Sequence, residues 1–292
     1  MHAWGRLITA MVTPFTENLD VDYEKAVELA RHLEQHGTTA LVVCGTTGES
    51  PTLSSEEQIN LFKIIKKNVN IPVIAGVGTN STAKTIHNAK AALECNVDGL
   101  LVIVPYYNKP DQESMYAHFR VVAEALDAKI MMYNVPGRTG VNMLPATVAK
   151  LAEIENIVAL KEASGNIVQL SEMVAKTPGN FSIYTGDDAL TLPCLAVGGY
   201  GVVSVASQVV GDKMSAMIQS YLQGSVEQAA KIHLELLDIY NTLFLTSNPI
   251  PVKSALNMLG MSVGGLRLPL TKANSAIQAE IRRSLQQLNL IN

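Results

Sequence analysis

Eight short apolar runs alternate with segments of helical period, and no other feature of the chain constrains its fold as strongly. The runs are Leu7–Thr13, Ala40–Cys44, Pro72–Val77, Gly99–Val104, Lys129–Asn134, Ile157–Glu162, Phe181–Thr185 and Gly201–Val205. Between them lie helical patterns over Tyr23–Gln35, Ser55–Lys67, Ala83–Glu94, Gln112–Leu126, Pro145–Leu151, Ile167–Lys176, Leu190–Val197 and Lys213–Leu222. Start signals agree: Ser54 or Ser55 stands before Glu57, and Pro145 suits a first helical turn. Eight strand-helix units in this order predict a parallel (β/α)8 TIM barrel, an α/β fold. A doubly wound open sheet would need a glycine fingerprint after its first strand, where this chain has Pro14-Phe15-Thr16-Glu17. After about residue 224 the strand signal stops, and Val226–Leu245, Pro251–Leu259 and Asn274–Leu288 read as helices. The expected organisation is a catalytic barrel over 1–224 with a C-terminal helical region over 225–292.

Composition narrows the partners. The chain is 48% hydrophobic and 16% charged, which is enough apolar material for one large core. Its net charge is −4, and beyond Lys63, Lys66 and Lys67 it has no basic block, which argues against nucleic acid. No apolar stretch reaches the roughly 18 residues that a membrane span needs. Cys44, Cys95 and Cys194 form no CxxC pair, and no secretion signal is evident, so a reducing cytoplasm is expected.

The segment Ile157-Val158-Ala159-Leu160-Lys161-Glu162-Ala163 reads as a buried strand ending in a lysine. Alternation puts Ile157, Ala159 and Lys161 on one face and Val158 and Leu160 on the other. An ammonium held among apolar walls loses protons more easily. A fall from ~10.4 to ~8 takes about 3 kcal/mol of differential interaction. The free amine then attacks carbonyls to form imines. The plain alternative is a strand-end lysine reaching solvent. What counts against it is the company at the other strand ends, where a parallel barrel places its active site. Strand two runs into Gly45-Thr46-Thr47-Gly48-Glu49-Ser50, a tight turn that suits a carboxylate. Strand four runs into Pro105-Tyr106-Tyr107-Asn108, and strand five ends at Tyr133-Asn134-Val135-Pro136-Gly137-Arg138. Strand seven runs into Gly186-Asp187-Asp188. The set holds an amine nucleophile, phenols that can move protons, hydroxyls, and an arginine for a carboxylate.

No metal site is expected. In His32-Leu33-Glu34-Gln35-His36 the glutamate does not follow the first histidine, so the zinc-protease pattern is absent and a solvated helix face is the simpler reading. Asp187 and Asp188 stand where phosphate-binding barrels place glycines and a helix N-terminus, which argues against a sugar phosphate.

Gly-Thr-Thr-Gly-Glu at 45–49, Pro-Tyr-Tyr-Asn-Lys-Pro at 105–110, Tyr-Asn-Val-Pro-Gly-Arg-Thr at 133–139 and Lys161 together resemble the dihydrodipicolinate synthase family. Gly-Asp-Asp at 186–188, Gly-Val-Val-Ser-Val at 201–205, Asn-Pro-Ile-Pro-Val-Lys at 248–253 and Leu-Arg-Leu-Pro at 266–269 extend the resemblance over nearly the whole chain. The resemblance implies a pyruvate imine on Lys161 with no cofactor, and Tyr133 as the acid and base. Thr46 and Tyr107 would complete a proton relay, Tyr107 from across a subunit interface. Backbone N–H groups around Thr46 and Thr47 would take the pyruvate carboxylate, and Gly186 and Val203 would line its pocket. Arg138 would hold the carboxylate of aspartate β-semialdehyde. It further implies a homotetramer built as a dimer of dimers. Ser50, Asn80 and Tyr106 match the family's lysine-effector pocket, but Ser55 and Gln58 replace its common histidines and Lys84 its glutamate. A cation there repels lysine's ammonium, so weak or absent feedback inhibition is expected. Two other readings are an N-acetylneuraminate lyase-type aldolase and a non-catalytic barrel binding a small acid.

Overall fold

The computed structural model of the chain describes residues 4–292. Among these residues the strands are β1 (Leu7–Ala10), β2 (Ala40–Val43), β3 (Val73–Gly76), β4 (Gly99–Ile103), β5 (Ile130–Asn134), β6 (Ile157–Glu162), β7 (Ser182–Thr185) and β8 (Gly201–Ser204). They form one closed barrel in sequence order, every neighbouring pair parallel, with Ile8 opposite Val203 at the seam. The helices are α1 (Tyr23–Gln35), α2 (Ser55–Asn68), α3 (Thr82–Leu93), α4 (Gln112–Glu124), α5 (Pro136–Thr139), α6 (Pro145–Leu151), α7 (Ile167–Lys176), α8 (Thr191–Ala196), α9 (Ser207–Leu222), α10 (Val226–Thr242), α11 (Ile250–Met258) and α12 (Ser275–Gln287). The last three lie beyond the barrel, as expected.

Pleat and burial sort the core into two layers. Ile8, Val42, Ile74, Met131, Tyr184 and Val203 fill the barrel interior. Leu41, Val73, Leu100, Val102 and Leu160 face outward and pack under the helices. Helix starts follow from side-chain chemistry. Ser54 Oγ accepts from Glu57 N at 3.1 Å while Glu57 Oε2 accepts from Ser54 N at 2.7 Å, a closed capping box for α2. Pro145 opens α6 where no intrahelical donor is needed. Trp4, 2% exposed, closes the N-terminal end of the barrel. A Cβ at Gly99 would stand 2.2 Å from its ring, so only glycine fits there. The phenol of Tyr184 donates to the Trp4 and Gly5 carbonyls at 2.7 and 2.9 Å, binding this plug to β7.

Two expectations need correction. Ile157 does not share a face with Lys161, because it packs in the outer layer with Leu160. Ile130 pairs with Ile157 but Met131 pairs with Ala159, so β6 carries one extra residue and its alternation reverses there. The segment after β8 becomes helical at Ser207 rather than at Lys213. A kink at Val210 (φ −131°, ψ 34°) breaks the apolar period across that first turn. The two histidines at the end of α1 lie on a solvated outer face, as expected, the His36 side chain being 42% exposed. His36 Nδ1 lies 2.6 Å from Asp212 Oδ2 of α9, and burial lowers the pKa of His32.

Candidate active site

β5 and β6 lie side by side in the barrel wall, and their register places Tyr133 opposite Lys161. The Lys161 ammonium sits 4.4 Å from the centre of the Tyr133 ring, and the residue is 6% exposed. Burial lowers its pKa to about 8. Asp188 opposes the fall with its negative charge, and Arg138 adds to it with its positive one. Lys161 therefore holds an accessible free amine near neutral pH. Burial raises the pKa of the Tyr133 phenol, while Arg138 and a hydrogen bond with Thr46 pull it back. The phenol stays protonated, able to give a proton and take one back.

The strand ends are braced from outside the barrel. Glu162 points away from Lys161 into a buried polar cluster. Asn134 Nδ2 donates to its Oε2 at 2.8 Å, and Ser164 N and Gln169 Nε2 donate to its Oε1 at 2.8 and 3.3 Å. This ties the ends of β5 and β6 together, so the amine and phenol cannot drift apart. Gly186, after β7, lies against the lysine shaft, and a Cβ there would stand 2.8 Å from Lys161 Cε. Its N–H is already given to the Glu162 carbonyl at 2.7 Å, so only its carbonyl remains to face a substrate. Val203 is buried on the interior face of β8.

The turn after β2 supplies donors. Gly48 N bonds back to the Gly45 carbonyl at 3.1 Å and Glu49 N to the Thr46 carbonyl at 3.1 Å. No backbone acceptor among the described residues takes the N–H groups of Thr46 or Thr47. A cavity of about 440 Å³ is lined by Thr46, Tyr133 and Arg138 and continues outward to Ser50, Ser55 and Lys84. It is large enough for two small acids joined end to end. Arg138 stands at its side, with Nη2 donating to the Asn248 carbonyl at 3.3 Å. Tyr107 is set apart. Its ring is 87% exposed on the loop after β4, its φ is +74°, and within the described chain no hydrogen bond joins it to Thr46 or Tyr133.

Two residues near the site escape sequence reasoning. Asp188 is buried behind Lys161, where Val205 N and Ala206 N donate to its Oδ2 at 3.2 and 2.9 Å. Burial lifts its pKa to about 6 against these donors. In sequence it is one of two adjacent aspartates, and only the fold separates the buried one from Asp187, which caps the following turn. Asn248 lies 24 residues past the expected end of the barrel, and only the motif at 248–253 marks it. Among the described residues no cluster of three or more His, Cys, Asp or Glu could hold a metal ion.

Fold and site together define a class: parallel barrels with a buried lysine at the end of the sixth strand, poised to form an imine beside a phenol. Comparison with known proteins narrows the class. The family model described as the dihydrodipicolinate synthetase family matches residues 3–288. A 4-hydroxy-tetrahydrodipicolinate synthase from a Cyanothece species is 53% identical over 294 residues, covering 100% of both chains. A Cyanidioschyzon merolae structure of that enzyme, described as having lysine bound, superposes with a TM-score of 0.98 at 47% identity over 100% of both chains. A structure described as the first monomeric dihydrodipicolinate synthase variant gives 0.97 at 41% identity, covering 99% of this chain and 98% of that one. This chain belongs to the dihydrodipicolinate synthetase family.

Proposed function

We propose that the chain is a lyase that condenses pyruvate with L-aspartate 4-semialdehyde, giving 4-hydroxy-tetrahydrodipicolinate in the diaminopimelate route to lysine. One observation carries the reading: a buried, partly neutral Lys161 beside Tyr133, in a chain 53% identical from end to end to a synthase of that name.

Carbon–carbon bond formation from pyruvate needs an electron sink, and a protonated imine is one. The free amine of Lys161 adds to the ketone, and Tyr133 gives the proton with which the carbinolamine oxygen leaves as water. The Tyr133 phenolate takes a proton back from the pyruvate methyl group, which yields the enamine and restores the phenol. Its carbon attacks the aldehyde, and the resulting alkoxide takes a proton from the phenol. The semialdehyde's own amine then attacks the imine carbon, closing the ring as Lys161 departs. The N–H groups of Thr46 and Thr47 are the donors for the pyruvate carboxylate, with the Gly186 carbonyl and Val203 completing the pocket. Arg138 takes the carboxylate of the semialdehyde as a charge-assisted pair.

The proposal extends to a cytoplasmic homotetramer. Tyr107 would relay protons through Thr46 of a neighbouring copy, which accounts for an exposed tyrosine held at positive φ. It extends also to weak or absent inhibition by lysine. Lys84 lines the outer cavity, and Gln58 is committed to the Ser50 carbonyl at 3.2 Å.

The test offers pyruvate with equal aspartate semialdehyde and N-acetylmannosamine, and identifies the product by mass spectrometry. The expected product is the heterocyclic dicarboxylate. Sialic acid would assign the chain to the lyase type. Unchanged pyruvate, with no adduct on Lys161 after borohydride, would leave a binding protein.

A further inference from the structure

Asn248, from beyond the barrel, reaches the site described above. It is 6% exposed and sits between α10 and α11. Its Nδ2 donates to Thr47 Oγ1 at 2.8 Å, and its main-chain carbonyl accepts from Arg138 Nη2 at 3.3 Å. One residue thus touches a group assigned to each substrate carboxylate. The same loop is gripped a second time from the C-terminal region. Lys253 Nζ pairs with Glu49 Oε1 at 2.8 Å, and Arg267 N donates to Glu49 Oε2 at 3.1 Å.

A hydroxyl has one hydrogen to give and two lone pairs to receive with. Because Asn248 donates to Thr47 Oγ1, it occupies a lone pair and leaves the Thr47 hydrogen free for another acceptor. Thr46 lines the cavity, and Thr47, buried next to it, gives its N–H to no backbone acceptor, so an anion held at this turn is within the hydroxyl's reach. We infer that Asn248 is a positioning residue for the first substrate: it fixes the Thr47 hydroxyl as a donor to the pyruvate carboxylate. This rests on the proposed binding of pyruvate at the Thr46–Thr47 turn. Arg138 is served by the main-chain carbonyl of Asn248, which every side-chain variant keeps. Side-chain changes should therefore separate the two substrates.

The experiment uses full-length protein. It measures the pyruvate concentration that gives half-maximal borohydride trapping on Lys161, read by intact mass. Asn248→Ala should raise that concentration about 10-fold, the effect of one lost hydrogen bond to a charged group. Asn248→Asp should raise it further, because a carboxylate takes the Thr47 hydrogen for itself. The KM for the semialdehyde at saturating pyruvate should stay within about twofold in both. In a Thr47→Val background, Asn248→Ala should add nothing, since the group it acts through is gone. If the alanine variant does not accumulate, the aspartate variant, nearly identical in shape, decides. An unchanged half-saturation in that variant would overturn the inference. So would an equal effect of Asn248→Ala with and without the Thr47 hydroxyl, or a matching rise for both substrates with a lowered melting temperature. Wild-type protein that traps no pyruvate would defeat the imine reading instead, and this inference with it.

Discussion

Lys161 and Asp188 are displaced in opposite directions by the same cause, the removal of charge from water. For Lys161 the consequence is a rate. Pyruvate capture by the free enzyme should rise with pH through about 8, the pKa at which the amine is released, in initial trapping rates at saturating borohydride. A flat profile would mean that the amine is not the titrating group. The same shift costs stability. Because the folded pKa lies below the unfolded one, the penalty is complete below about pH 8 and disappears as pH rises towards the ordinary lysine value. Lys161→Met should accordingly stabilise the fold by up to about 3 kcal/mol at neutral pH in denaturant titrations, while abolishing trapping. Gly186→Ala tests the packing. A methyl group 2.8 Å from Lys161 Cε must push the amine aside, so kcat should fall by at least about 10-fold with the fold intact. Arg138→Ala should cost a few kcal/mol against the semialdehyde and leave imine formation nearly untouched.

At the scale of elements, the bond between α11 and the β2 turn is a buried ion pair, Lys253 with Glu49, each side chain 1% exposed. Removing one partner strands the other. Lys253→Met should lose about 3–5 kcal/mol, and adding Glu49→Gln should recover part of that, measured by a double-mutant cycle. Elements were also the scale at which sequence was most and least informative. Strand order could be read, and strand ends to within one to three residues, because burial on both faces leaves uninterrupted apolar runs; this placed Thr46, Tyr133 and Arg138 around one cavity, with Lys161 beside Tyr133. The reversal of β6 could not be read, since a bulge adds a residue without changing the composition of the run. Nor could the first turn of α9, whose kink erases the period. Asn248 lies in the turn before α11 and Lys253 within that helix, and their contacts with Thr47 and Glu49 span 201 and 204 residues, beyond the reach of any local pattern.

For the molecule as a whole, Tyr107 stands apart from the other residues proposed for the site. Tyr107 faces outward, so under the proposal a working centre needs two copies. Tyr107→Phe and Lys161→Ala chains, each nearly inactive alone, should regain roughly a quarter of wild-type activity when mixed and reassembled, as random pairing of two defects predicts. No recovery would place Tyr107 outside the relay. The effector prediction belongs at this scale too. Sub-millimolar lysine should leave steady-state rates unchanged, whereas Lys84→Glu should bring inhibition within reach by restoring a counter-charge. The two ends of the barrel are built for different tasks, and the base carries Trp4, the only tryptophan in the chain. Its indole is sealed against Gly99 at the end opposite Lys161. Intrinsic fluorescence therefore reports whether the barrel is shut and says nothing about ligand at the rim. Unfolding can be followed optically through any active-site variant, with no signal of its own from the chemistry.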